Sequence, residues 1–129
     1  MFTIHKSDTG AVPPNEYMPA DADTYEAGQL LVMAGGLLKA ISAATTTTPP
    51  YVSAAEKVID EKGDILPVNR VSTDVIYKTS LSAAAASAVP GGKLQVSAGG
   101  KQVSTGAGTF EIVSLEETTA DSTVYGRFL

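Results

Sequence analysis

Cysteine and tryptophan are absent from this sequence, and its single histidine, His5, stands close to the first residue. Without thiols there is no disulfide framework, no thiolate metal site and no cysteine nucleophile. One histidine accompanied only by carboxylates does not make a zinc centre. Serine–histidine catalysis would have to use His5, in a terminal stretch where order is usually poor, so His5 reads as a surface polar residue. Positive charge is scarce as well: nine Lys and Arg against fourteen Asp and Glu leave a net charge of −5. Affinity for nucleic acid comes mainly from Lys and Arg displacing counterions, and the sequence has no basic stripe, so a nucleic-acid partner is not expected. Long apolar runs are missing too. The longest, Leu30 to Leu38, is interrupted by Gly35-Gly36 and falls short of the ~20 residues a membrane helix needs. The opening MFTIHKSD lacks the apolar core of a signal peptide, which leaves the expectation of a soluble protein with no membrane partner and no cleaved export signal.

What is present is small. Ala, Thr, Gly and Ser make up 55 of the 129 residues, so the large apolar side chains must be concentrated in a few segments. A chain of this length fits one domain, and a single compact core with long loops is expected.

Residues 1 to about 24 contain Pro13, Pro14 and Pro19, three Asp and scattered large apolar groups, with neither a helical period nor a strand alternation. They read as an extended N-terminal arm preceding a single β-domain of residues 25–129. Such an arm is either plain disorder or a segment that folds onto a neighbour, with Phe2, Ile4 and Tyr17 as its candidate partner-binding anchors. If it docks on a partner, removing residues 1 to 20 should spare the fold.

From Tyr25 the texture changes. Gln29 to Ala34 and Leu37 to Ile41 flank Gly35-Gly36 and predict a β-hairpin, because a two-residue primed turn needs positive φ, which Gly adopts without strain. One helix over Glu26 to Ala44 is the weaker rival, since two adjacent Gly would cost it ~2 kcal/mol relative to Ala. Tyr51 to Ala55 reads as a strand start, while Ser53 with Glu56 matches a capping box, with Gly63 as its stop, so residues 51–62 stay open between strand and short helix. Asp64 to Val71 and Asp74 to Thr79 predict strands, with Pro67 at a sheet edge or bulge because it lacks an N–H. Ala83 to Ala86 is too short for a helix and reads as a loop. Lys93 to Ser97 and Lys101 to Ser104 alternate polar with apolar about Ala98-Gly99-Gly100, which makes the clearest hairpin. Phe110 to Leu115 and Ser122 to Leu129 close the chain as strands. Seven or eight short strands with glycine-rich turns indicate an all-β fold, a compact β-sandwich or a partly closed β-barrel.

Chemistry-bearing clusters are few. Glu116-Glu117 with Asp121 could do acid/base work or hold a cation, and so could Asp60-Glu61 with Asp64, but carboxylates in inter-strand loops are more often solvated turns. Lys57 and Lys62 screen the second cluster further. Gly91-Gly92, Gly99-Gly100 and Gly106-Ala107-Gly108 would need a following helix to cradle a phosphate, and strands follow them. The tyrosines Tyr17, Tyr25, Tyr51, Tyr77 and Tyr125 could form a sugar-stacking platform, although packing in a core or interface is the default for Tyr51, Tyr77 and Tyr125. No catalytic residue, cofactor or metal ligand is expected, and the chain reads as a non-enzyme.

Taken in order, Thr24 to Leu31, Leu37 to Ala40, Asn69 to Thr79, Gly91 to Gly106 and the ending Val124-Tyr125-Gly126-Arg127-Phe128-Leu129 resemble the capsid decoration, or cement, proteins of tailed bacteriophages. The resemblance covers residues 24 to 129 as an ensemble of segments, and the first 23 residues have no counterpart in it. It implies a compact β-domain on the outer surface of a phage head, made in the host cytoplasm. Its partner would be the major capsid protein, bound without cofactor or turnover, with a dimer or trimer of the chain on the lattice left open. A carbohydrate-binding or host-adhesion module of a virion, and a tail or baseplate subunit, are the alternatives for such a composition.

Overall fold

A computed structural model describes residues 1–129, and it contains thirteen strands and no helix. In chain order they are β1 (Thr3–Ser7), β2 (Asn15–Pro19), β3 (Asp23–Tyr25), β4 (Leu30–Ala34), β5 (Leu37–Ala40), β6 (Tyr51–Ser53), β7 (Lys57–Ile59), β8 (Ile65–Arg70), β9 (Val75–Ser80), β10 (Lys93–Val96), β11 (Val103–Thr105), β12 (Phe110–Leu115) and β13 (Thr123–Phe128). All named strand pairs are antiparallel. A six-stranded sheet runs β1-β9-β13-β12-β10-β11, a five-stranded sheet runs β2-β8-β6-β4-β5, and β3 with β7 forms a two-stranded ribbon. The chain is an all-β sandwich in which no sheet closes into a barrel.

The period-two pattern places two cores. In β13 the alternation Thr123-Val124-Tyr125-Gly126-Arg127-Phe128 turns Val124, Gly126 and Phe128 inward. These meet Tyr77, Val96, Val103, Phe110 and Ile112 of the same sheet, together with Leu30 and Val52 of the five-stranded sheet. The next residues along, Leu31 and Tyr51, point to the other side and join Leu38, Leu66 and Val68 under Tyr25 and Ile59 of the β3–β7 ribbon. Three layers result: six-stranded sheet, five-stranded sheet, ribbon. Each fully buried Val, Leu, Ile or Phe contributes roughly 1.5–3 kcal/mol, and splitting them between two cores is how a chain rich in small residues fills both faces of its middle sheet. That middle sheet also curls, so that Ala20, one residue past β2, forms a parallel bridge to Leu38 of β5.

The hairpin at Gly35-Gly36 is observed, with φ of 59° and 78° at the two glycines, the positive values a primed turn requires. The β10–β11 hairpin is also present, with Leu94, Val96 and Val103 on its dry face. Residues 51–62 contain two short strands and no helix: β6 and β7 flank a bend in which the Ser53 hydroxyl donates to the Ala55 carbonyl (2.8 Å) instead of capping a helix.

Three expectations are corrected. Pro67 lies at neither an edge nor a bulge, because β8 is flanked by β2 and β6. Its carbonyl accepts from Ala54 N (3.0 Å), one residue past the end of β6, so the missing N–H faces a place where that strand has already run out. Thirteen strands replace seven or eight, because several are only three residues long and the first 25 residues supply three of them.

The third correction concerns those residues. They are extended, as expected, but they are not a separate arm and no domain boundary falls at residue 24: β1 pairs with β9 and β2 with β8, one in each large sheet. Phe2 N donates to Gly28 O (2.8 Å), Asp8 N to Asp74 O (2.9 Å) and Ala20 N to Asp64 O (2.9 Å). The prolines mislead because Pro13-Pro14 occupy the crossing between sheets and Pro19 ends β2, positions that need no strand N–H. The apolar period is faint because β1 and β2 are edge strands that leave most of their side chains in solvent.

Candidate functional site

The three candidate anchors do not share a surface. Phe2 is 2% exposed, and its ring lies 5.9 Å from that of Phe110 and 6.0 Å from that of Phe128. It is a core residue and offers nothing to a partner, because burying its ring between the sheets outweighs leaving it on an arm. Ile4 is 37% exposed on β1, opposite Tyr77. Tyr17 is the open one, 68% exposed on β2 at the edge of the five-stranded sheet.

Register shows what accompanies Tyr17. It sits opposite Pro67, and Pro19 sits opposite Ile65, so the four share one face of the β2–β8 pair, and Ile65 is 44% exposed. This face belongs to the same side of the sheet as Leu30 and Val52, but it extends past the region that the six-stranded sheet covers. The residues between them, Met18, Leu66 and Val68, turn inward to the second core. An apolar strip of Tyr17, Pro67 and Ile65 is therefore held open on two ordered strands. Sequence reasoning found Tyr17 and missed Ile65 and Pro67; the i, i+2 spacing of Ile65 and Pro67 about buried Leu66 was the signal that could have found them.

Beside the strip lies a groove of about 600 Å³, between residues 7–16, where the chain crosses from β1 to β2, and residues 70–75, where it crosses from β8 to β9. Its walls combine Val12, Pro13, Pro14 and Val71 with the hydroxyls of Ser7, Thr9, Ser72 and Thr73. At its rim the Arg70 guanidinium stacks 5.0 Å from the centre of the Tyr51 ring, donates to the Tyr51 hydroxyl (3.0 Å) and pairs with Glu16 (3.4 Å). The hydrogen bond that Arg70 donates to the Glu16 carboxylate, with the Tyr51 contact, raises the Arg70 pKa above its usual value. Glu16 offsets the Arg70 charge, and Asp74 adds one carboxylate to a lining otherwise made of apolar and hydroxyl groups. Apolar surface interleaved with hydroxyls is suited to non-covalent contact with another protein chain.

The remaining candidates are scattered. Tyr25, Tyr51 and Tyr77 are buried, the first and second in the ribbon-side core and the third between the sheets. Tyr125 lies on the outer face of the six-stranded sheet, its ring centre 4.5 Å from that of His5, so the tyrosines form no common platform. Asp121 accepts a hydrogen bond from the Gln102 amide (3.1 Å), and Thr119, beside Glu117, is tied to Ser122 (2.8 Å). No group of three or more His, Asp and Glu side chains converges as a metal cage, and no helix is long and apolar enough to cross a membrane.

No protein-family model matches the sequence, and a search of curated proteins finds no relative.

Proposed function

We propose that this chain is a structural decoration protein: it binds the outer surface of a tailed-phage head and strengthens contacts between major capsid subunits, without a cofactor or turnover. The observation that carries this reading is the open strip of Tyr17, Pro67 and Ile65 on a rigid sheet. Exposed contiguous apolar surface with an aromatic anchor marks sites of protein contact, and tyrosine suits them because one end is apolar and the other is polar. Support also comes from the resemblance of residues 24 to 129 to decoration proteins, which is joined here to a sandwich whose first residues are stitched into both sheets.

The physical mechanism is mass action. A protein that binds the assembled shell but not free subunits stabilises the shell by an amount that grows with its concentration over its Kd. A preformed sandwich loses little conformational entropy on docking, and many copies on one particle make a weak single contact sufficient.

The test is to heat or chelate purified heads with and without saturating protein. Raised resistance is expected, together with binding to heads and none to free subunits, and Tyr17→Ala should weaken binding while leaving the thermal transition of the protein in place. Equal resistance with and without protein contradicts the proposal. A glycan-array signal lost with Tyr17→Ala would point to adhesion instead.

A further inference from the structure

The charges of this chain are sorted onto opposite sides of its three layers. Residues 20–26 and 56–64, which form the β3–β7 ribbon and its flanking turns, carry seven of the fourteen acids but only Lys57 and Lys62 of the nine bases. These segments therefore carry a net charge of −5, and because Lys39 pairs with Asp21 (3.7 Å) and Lys101 with Glu26, the cap presents a net charge of −3. Gly63 N donates to Ala20 O (2.9 Å) and Ala20 N to Asp64 O (2.9 Å), which brings Asp21 and Asp23 beside Asp60, Glu61 and Asp64.

The outer face of the six-stranded sheet has the opposite character. Lys78 lies between buried Tyr77 and Thr79, Lys93 precedes buried Leu94, and Arg127 lies between buried Gly126 and Phe128, so all three point outward. Lys6 joins them opposite Ile76. Two acids join this row: Glu111 sits opposite both Arg127 and Lys93, and Asp8 pairs with Arg127 (2.8 Å), so four bases against two acids leave the face net positive, with Lys6 and Lys78 free of an acid. The six-stranded sheet packs on Leu30 and Val52 of the middle sheet, whereas the cap packs on Leu31 and Tyr51, which point the other way. Basic face and acidic cap are therefore on opposite sides of one molecule.

We infer that the basic sheet face takes the acidic cap of a second copy, so that copies associate head to tail. A shift of one copy along the stacking direction presents cap to face, and the same contact can then repeat. This is a heterologous interface, which extends instead of pairing off. Exposed ion pairs contribute little one at a time, so the association is weak and needs several of them together. Ionic strength acts on it in two directions. At very low salt the two net charges of −5 repel. At about 0.1 M the Debye length is about 10 Å, which screens that repulsion but spares touching pairs, and at about 1 M it falls to about 3 Å and weakens the pairs as well.

Sedimentation velocity of the full chain at millimolar concentration, across that salt range, tests the inference on free protein and so independently of any role on a capsid. The expected result is an average sedimentation coefficient that rises with concentration near 0.1 M salt and returns towards the monomer value at both extremes. Lys78→Glu with Lys93→Glu makes face and cap both acidic; Asp60→Lys with Glu61→Lys reduces the cap's negative charge and weakens its attraction to the basic face. Each variant alone should lose the association, and an equimolar mixture should recover it as heterodimers. A wild-type chain that stays monomeric at every salt concentration, an association that grows steadily with salt, or a mixture no more associated than its components overturns the inference. The wild-type salt series needs no substitution, so it decides even if a variant misfolds.

Discussion

Replacing Phe2 by Ala should destabilise the whole domain, although the residue stands second in the chain. Its ring fills space between the sheets against Phe110 and Phe128, and its backbone N–H is tied to Gly28 O. Truncating a buried Phe to Ala typically costs about 3–5 kcal/mol, the lost transfer energy plus the cavity left behind. With about 2.1 cal/mol/K of unfolding entropy per residue, a chain of this length should lose about 11–18 °C in Tm. Domains hold only about 5–15 kcal/mol in total, so the loss is a large share of the stability. Circular dichroism melting of the variant beside the wild type measures it, with urea titration to check that the midpoint moves at constant slope. A Tm within about 3 °C of wild type would show that the first strands are dispensable and refute the stitching of residues 1–24 into the sheets.

Three further outcomes follow from the same geometry. Burial raises the Tyr77 pKa, and burial with the charges of Asp23 and Asp21 raises that of Tyr25. A raised folded-state value means stability fully present below the unfolded value of about 10 and lost as pH climbs past it, so Tm should hold to pH 10 and fall above it, less steeply in Tyr77→Phe. That variant should also lose about 1 kcal/mol at neutral pH, because Ser72 N donates to the Tyr77 hydroxyl (3.1 Å); an unchanged melting curve at both pH values would contradict this. Gly126→Ala should cost about 1–3 kcal/mol by overpacking, since a Cβ there would stand 2.5 Å from the Phe110 ring and the Glu111 carbonyl; a neutral effect in thermal melts would mean the ring is not seated over the glycine. Ile65→Ser together with Tyr17→Ala should reduce binding to capsids more than either change alone, read by co-sedimentation, and no reduction would remove the strip from the interface.

Much of the fold was legible because alternation and glycine turns act locally. The Gly35-Gly36 hairpin and the β10–β11 hairpin follow from a few adjacent residues, and so does the closing strand β13. What was not legible depends on partners distant in sequence. Phe2 looks like a loose terminal residue until Phe110 and Phe128 arrive from the far end of the chain. Ser53 and Glu56 match a cap locally, but β6 is claimed by β4 and β8 on either side. Of the site, Tyr17 was found by residue type alone, and its neighbours Pro67 and Ile65 appear only once β2 pairs with β8. The opposed basic face and acidic cap were invisible for the same reason: Lys6, Lys78, Lys93 and Arg127 are spread over the sequence and converge only through sheet register.

The most direct measurement of the proposed capsid role is a cryo-electron microscopy map of heads incubated with the purified chain. The expected map shows sandwich-shaped density repeated over the outer shell, with the Tyr17–Pro67–Ile65 face of the β2–β8 pair turned towards the joints between capsid subunits. Bare shells at saturating protein, or density confined to the tail, would contradict it.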